Sequence, residues 1–507
     1  VVYLNYKQET LMAVAATGKK QTSHWLILIL LALAQFMVVL DISIVNVALP
    51  SIQRAFSLTS TNLQWIVTAY TLAFGGFLLL GGRNADYFGR RRTFLGGIIV
   101  FTLASMGTGL SQSGTMIIIF RALQGLAGAY LSPAALSIVL VTYREGKERN
   151  VALSVWGAVA AGGAAFGVLL GGIITQYLSW RWNFFINVPI GLFVVITAMR
   201  ILPRHEGEAQ QKSLDIPGAL TVTGGLMLLV YSLTEAPTYG WSSHRIMITL
   251  GASILLLAAF IYNEMRLAKV PLMPMRIFRI RNVSGADSLM LLVSAGLFSV
   301  FFFTTLYLQD VLRYSPIKTG VDFLVLPVVI AIVATNVPRL IKLIGHKTIL
   351  VLGPLFVSGG LFWASHLPVH GTYWGNIAPG LILMGIGLGA LFVSVTIAAT
   401  SGVPQHEAGL ASGLLNTSQQ IGGAVGLAVL TGVVASSTSH YLTSLHLHAQ
   451  PTAANMAAAS VHGFHIGYLV SSTFGIGASL LALFIVRIKK VPSNQSQESS
   501  EPTALPA

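Results

Sequence analysis

The chain contains no cysteine, and only 9% of its 507 residues are charged. The first absence excludes structural disulfides, thiolate metal sites and redox chemistry of the chain itself. The second excludes an ordinary soluble domain, in which about a quarter of the residues carry charge. Acids are scarcest, sixteen against thirty lysines and arginines, so an acid inside an apolar stretch stands out. No G-x-x-x-x-G-K-[ST] loop is present, which argues against ATP as the energy source. Neither H-E-x-x-H, nor G-x-S-x-G, nor a carboxylate pair stands in the apolar stretches, which argues against an enzyme. No cofactor is expected.

What the chain does have is apolar length. Hydrophobic residues make up 54%, and runs of about 20 residues recur from Trp25 almost to the C-terminus. Each is long enough to cross a hydrocarbon core of about 30 Å as a helix. Fourteen such spans are predicted, the first over residues 25–47, within an apolar run that continues to Pro50. That run is longer than a signal-peptide core and lacks a small-residue cleavage site, so it is expected to stay as a helix. The polar stretch from His205 to Asp215 closes the first six spans, and the basic segment from Arg266 to Arg281 precedes the last six. The expected regions are therefore an N-terminus over 1–24, a six-span half over 25–204 and a linker with two inserted spans over 205–265. A second six-span half follows over 266–490. Residues 491–507 are polar and without apolar periodicity, and are expected to form a disordered tail.

The net charge of +14 is not the mark of a nucleic-acid-binding protein, because it is distributed by side. With loops numbered alternately from a cytoplasmic N-terminus, only Arg54, Arg181, Arg245, Arg313 and Lys318 fall outside, and Arg121 lies within a span. Such a bias is the positive-inside pattern and places both termini in the cytoplasm. Val1 in place of Met fits a GTG start codon and hence a bacterial gene, so the expected location is a bacterial inner membrane.

Between spans 2 and 3 the sequence reads Gly82, Arg83, Asn84, Ala85, Asp86, Tyr87, Phe88, Gly89, Arg90, Arg91, Arg92. Glycines permit a tight turn, and an acid beside arginines can form charge-assisted pairs that hold one conformer and break in another. Gly82, Asp86, Gly89 and Arg90 are thus candidate gating residues. The run resembles the G-x-L-A-D-R-x-G-R-K loop of the major facilitator superfamily, with Asn84 for the usual Leu. Further stretches are similar to the fourteen-helix drug:proton antiporters of the EmrB/QacA type: Leu40 to Pro50 (LDISIVNVALP), Arg121 with Gln124 and Gly125, Trp180 to Gly191 (WRWNFFINVPIG) and Tyr307 to Pro316 (YLQDVLRYSP). The resemblance runs from about Asp41 to Gly426. It implies an all-α membrane protein of major facilitator fold, two six-helix halves plus two inserted central helices, working as a proton-driven exporter of small hydrophobic or amphiphilic compounds. Its partners are then substrate, protons and the lipid bilayer, and a monomer is expected.

Span 5 carries Gly163, Gly167 and Gly171 at four-residue steps with Gly172 beside them, a bare face suited to close backbone contact. The antiporter class usually shows G-P-x-x-G-G here, and Val168 stands in place of the proline, so a kink is not implied. Span 13 has a second small-residue face in Gly409, Gly413, Gly422 and Gly426, open to packing or to a sliding gate.

A charge in the hydrocarbon region is costly and marks an ion or substrate path by default. Asp41 lies near the outer end of span 1 and Arg121 near the outer start of span 4, both roughly 8 Å below the outer boundary at 1.5 Å per residue. The resemblance implies that spans 1 and 4 line a central cavity, so that the two side chains face one another across it. Burial favours a neutral carboxyl and a nearby guanidinium favours a carboxylate. A movement of Arg121 would then load or unload a proton on Asp41; the other reading is a static ion pair. Asn46 and Gln124 are candidate cavity residues. Asp322 either attracts cationic substrate or sits in the interface. Asp310 is read as a solvated loop residue and Glu407 as a helix cap by the dipole rule. His440, His446, His448, His462 and His465 have no acid among them, and no metal site is expected. An importer of a specific metabolite on the same fold is the alternative function, favoured by a cavity dense in hydrogen-bonding groups. A membrane-embedded enzyme or lipid-handling protein is more remote.

Overall fold

The computed structural model describes residues 2–144, 146–202, 214–404, 407–446 and 450–485, with side chains from His24 onward apart from Ala160. The tail expected over 491–507, residues 205–213 of the linker and His448 lie outside the described residues. Fourteen helices carry the fold among them. The first six are α1 (His24–Phe56), α2 (Ser60–Phe88), α3 (Arg90–Gly109), α4 (Gly114–Thr142), α5 (Lys147–Tyr177) and α6 (Trp182–Ile201). The inserted pair is α7 (Ile216–Tyr239) and α8 (His244–Leu267). The last six are α9 (Arg281–Val311), α10 (Pro316–Ile344), α11 (His346–Ala364), α12 (Tyr373–Thr400), α13 (Ala408–Ser444) and α14 (Ala453–Phe484). Thirteen are long and apolar enough to cross a membrane, and α3, which opens on three arginines, is the fourteenth.

The helices start where the sequence supplies a cap. Thr59, Ser113, Ser243, Ser315 and Thr452 each accept the backbone N–H three residues on, at the starts of α2, α4, α8, α10 and α14. A side-chain oxygen there satisfies a donor that the helix itself cannot. All five lie at one end of the bundle, called here the far end. The other end, where α3 begins on its arginines, is the basic end.

Packing repeats from one half to the other. In the first half α1 packs on α5, α2 on α4, α3 on α4 and on α6; in the second α9 packs on α13, α10 on α12, α11 on α12 and on α14. Each pair of the second half is a pair of the first shifted by eight helices, as expected of parallel repeats about an axis along the membrane normal. The two seams between the halves obey the same shift, α2 against α13 and α5 against α10. The inserted pair breaks the symmetry. α7 packs against both α2 and α13 and so covers one seam, with Thr223 against Gly76 and with Gln64 donating to Thr234 at 2.6 Å.

Outward-facing apolar side chains such as Leu220, Ile248, Leu255 and Ile332 stand exposed around the bundle. A belt of this kind is paired with lipid rather than water.

Candidate functional site

Asp41 and Arg121 meet. An Arg121 Nη1 lies 2.5 Å from Asp41 Oδ2, with the two side chains 1% and 0% exposed. The other carboxylate oxygen accepts Gln124 Nε2 at 2.9 Å and Asn187 Nδ2 at 2.8 Å. Every partner is a donor, an arrangement that suits the ionised carboxylate. Arg121 is held in turn by the carbonyl of Ile66, by Gln124 Oε1 at 3.1 Å and by the face of the Tyr70 ring at 4.2 Å. Ser105 closes the network, accepting from Asn187 at 3.0 Å and donating to the carbonyl of Phe184 at 2.9 Å.

The geometry corrects the sequence-based expectation in two respects. The pair does not face across a central cavity; it is sealed inside the first half, among α1, α2, α3, α4 and α6. Nor do the residues lie equally far below their helix ends. α1 continues from Asp41 to Phe56, roughly 22 Å, whereas α4 starts roughly 10 Å before Arg121. They share a level because α1 runs through Pro50 and overhangs α4. Gln124, read as a cavity residue, belongs to this network, and Asn46 donates to the carbonyl of Ile42 in its own helix at 3.2 Å. Asn187 was not singled out from sequence; its signal was the second Asn of WRWNFFINVPIG.

The gating run is also rebuilt. It is not a loop around two glycines. α2 continues through Gly82 to Phe88, α3 begins at Arg90, and only Gly89, with φ 95°, takes a conformation that favours glycine. Asp86 lies 4.0 Å from Arg90, largely exposed, which makes a weak pair. The stronger contact is made by Arg83, whose guanidinium donates to the carbonyls of Val270 and Pro271 in the segment after α8. Glu264 accepts the backbone N–H groups of Leu272 and Met273 in that segment, and Asn263 donates to Asp215 at 2.8 Å. The end of α2, both inserted helices and the linker thus form one polar knot at the basic end.

The glycines of α5 do what their spacing implies. A Cβ on Gly163 would meet Val39 at 3.1 Å, one on Gly167 would meet Ser43 at 2.6 Å and one on Gly171 would meet the carbonyl of Ile44 at 2.7 Å, all on α1. Gly172 points the other way, where a Cβ would lie 2.6 Å from the carbonyl of Pro316 in the second half. Beside it Gly320 packs on the backbone of Val168, the residue that replaces the family proline. In α13, Gly422 and Gly426 pack on α9, Gly413 meets Leu79 across the halves, and Gly409 meets nothing within 4 Å.

The far end is shut by further contacts between halves. Gln309 donates to the carbonyl of Val47 at 2.9 Å, and Gln176 accepts the N–H of Ile317 at 3.2 Å. Asp310 is partly exposed but not in a loop: it ends α9 in a π-helical turn and pairs with Arg54 of α1 at 3.3 Å. Glu407 stands at the cap position of α13 but spends its side chain on Arg276 rather than on the helix N–H groups. Asp322 is buried near the far end of α10, in the other half from Asp41, with one carboxylate oxygen unpartnered. Among the described residues no three His, Asp or Glu side chains converge as metal ligands. His465 meets the carbonyl of Leu367 at 2.6 Å, and His462 stacks on Tyr441. Asp287 is buried in α9 with both oxygens unpartnered, and the sequence reading did not single it out.

Comparisons agree with this architecture. The sequence model of the Major Facilitator Superfamily matches residues 31–427. The chain is 40% identical to the puromycin resistance protein pur8 of Streptomyces alboniger, over 92% of this chain and 91% of that one. It is 40% identical to the cephamycin export protein CmcT of Amycolatopsis lactamdurans, over 83% and 87%. It is 36% identical to the tetracenomycin C resistance and export protein of Streptomyces glaucescens, over 81% and 76%. Among solved structures it resembles the POT family transporter PepTSo, with TM-score 0.67 and 12% identity over 90% of this chain and 97% of that one. A bacterial homolog of the human lysosomal transporter Spinster gives TM-score 0.63 and 15% identity over 92% and 99%. These two likenesses concern the fold alone.

Proposed function

The chain belongs to the major facilitator superfamily, and from that membership we propose that it is a proton-coupled exporter of small hydrophobic or amphiphilic compounds, working by alternating access. The observation that carries export is the end-to-end similarity to proteins named for antibiotic resistance and export. Their names suggest antibiotics as the class of substrate.

Proton coupling rests on the sealed Asp41. Its three donors come from α4 and α6, while the acid itself stands on α1. A rearrangement that draws α1 away from these helices strands a carboxylate in an apolar setting, where binding a proton relieves the cost of the charge. Return of the donors releases it. Substrate that binds only while the donors hold the carboxylate therefore exchanges with a proton, which is antiport. The positive-inside bias supports placing the basic end in the cytoplasm of a bacterial inner membrane, so that the shut far end faces outside. The chain then acts as a monomer and carries out no enzymatic reaction.

The test is proton movement in proteoliposomes when ethidium or puromycin is added, comparing wild type with Asp41→Asn. Exchange in wild type that the variant loses is the expected result. Full active transport by Asp41→Asn removes Asp41 from the mechanism, and absence of exchange in either protein shifts the reading to a narrow metabolite transporter.

A further inference from the structure

The second half holds a buried acid of its own. The packing shift of eight helices pairs α1 with α9, and α9 carries Asp287 about 9 Å inside its basic end. Asp287 is 5% exposed, and neither carboxylate oxygen has a hydrogen-bond partner. Seven residues on, Ser294 Oγ is likewise buried and unpartnered. Helical spacing puts Asp287, Ser294, Phe298 and Phe301 on one stripe. This stripe differs from the face that meets α14, where Ser299 lies 3.2 Å from Ser471 and Thr304 lies 2.7 Å from Tyr468. It runs between α13, where Phe298 packs over Gly423, and α10, where Phe301 lies 5.6 Å from Phe323. α9 also touches α1 of the first half, through Gln309.

Among the described residues no ion pair neutralises Asp287: neither Arg281 at the start of its own helix, nor Arg279 in the turn before it, nor Lys347 on α11 pairs with it. On α12 the one ionisable side chain is Tyr373, at its far end. On α13, Glu407 is paired with Arg276. His462 and His465 on α14, and Asp41 and Arg54 on α1, lie toward the far end. His346 at the start of α11 bonds the carbonyl of Ser394. An ionised carboxylate sealed from water with no donor is expensive, whereas a neutral carboxyl in the same place is not. The two acids are therefore built oppositely, one surrounded by donors and one by none.

We propose that Asp287 is a second proton-carrying site, on the helix of the second half that corresponds to α1, occupied by a proton in this conformer and emptied when rearrangement about α9 opens it to water or to a cationic substrate. It rests on the proton-coupled reading above and extends it to one carboxyl per half.

The test has a spectroscopic arm and a transport arm, both on the full-length protein. Infrared spectra of purified protein at neutral pH are expected to show a protonated-carboxyl C=O stretch that shifts in D2O, a component of which is lost in Asp287→Asn and kept in Asp41→Asn. In proteoliposomes Asp287→Asn is expected to bind ethidium but to lose its proton-driven release, and Asp287→Glu to restore it. Spectra of wild type and Asp287→Asn that superimpose overturn the proposal, as does an Asp287→Asn variant that moves as many protons per ethidium as wild type. Should the Asn variant fail to fold, the shift of the same band in Asp287→Glu decides the matter. Should wild type move no protons at all, the exporter reading falls, while the pH at which the band disappears still shows whether Asp287 releases a proton.

Discussion

Asp41 is defined by what surrounds it more than by its own chemistry. Two amides and a guanidinium converge on one carboxylate, and each amide is bonded elsewhere, Gln124 to Arg121 and Asn187 to Ser105. Removing one donor from a buried charged group costs about 1–3 kcal/mol. Asn187→Leu is accordingly expected to lower the thermal stability of the detergent-solubilised protein and to slow proton-driven transport. Scanning fluorimetry and proteoliposome flux read the two effects separately. By contrast, Arg54 and Asp310 form an exposed pair worth about 0–1 kcal/mol. Asp310→Asn is expected to change ethidium flux by less than about fivefold, the factor that 1 kcal/mol represents.

At the scale of elements, the glycine face of α5 and the inserted pair are the features with consequences. α5 sits so close to α1 that a side chain on Gly171 meets the carbonyl of Ile44, whereas Gly162, on the other side of the same helix, has nothing within 4 Å. Gly171→Leu is therefore expected to abolish the monodisperse peak on fluorescence-detected size exclusion, and Gly162→Leu to leave it unchanged. Helix propensity cannot explain such a contrast, because both substitutions replace glycine by the same helix-forming residue. α7 and α8 are more than a spacer. α7 lies over the α2 and α13 seam, and the knot of Arg83, Glu264, Asn263 and Asp215 ties their basic ends to the end of α2. Arg83→Gln, which removes the charge that grips the linker carbonyls, is expected to leave the size-exclusion peak intact while transport falls. Normal transport by that variant would remove the knot from the gating cycle.

On the scale of the whole molecule, the two halves are related by a repeat, yet their seams are unequal. The α2 and α13 seam is covered by α7, and the α5 and α10 seam is joined near the far end, through Gly172, Gly320 and Gln176. Motion of one half against the other must open these far-end contacts in every cycle if access alternates. The absence of cysteine makes this directly testable. Arg54→Cys with Asp310→Cys, joined by a short bifunctional thiol reagent, is expected to stop transport, and the same reagent is expected to leave the wild type untouched. Continued transport by the crosslinked protein would mean that the far end does not open.

Much of this was legible in the chain itself. Twenty-residue apolar runs with few charges leave the backbone no option but helices across a bilayer, so span number and order follow from composition and spacing. The four-residue glycine step of α5 likewise announced a close contact, and the Asp41 and Arg121 pair was named because charges in apolar runs are rare. Tertiary structure decided which partner each of these would meet. Asn187 lies far from Asp41 in sequence, and nothing local marks it as the third donor. Arg83 looks like a positive-inside residue until the linker carbonyls close on it. Asp287 stands six residues beyond Arg281, where hydropathy alone does not distinguish a buried acid from one at a helix end, and only the packing of α9 showed it to be buried. Periodicity and hydropathy are properties of a segment, and they fix the segment's environment. Which side chains converge depends on how segments hundreds of residues apart pack, and that is settled by shape and by satisfying buried polar groups three-dimensionally.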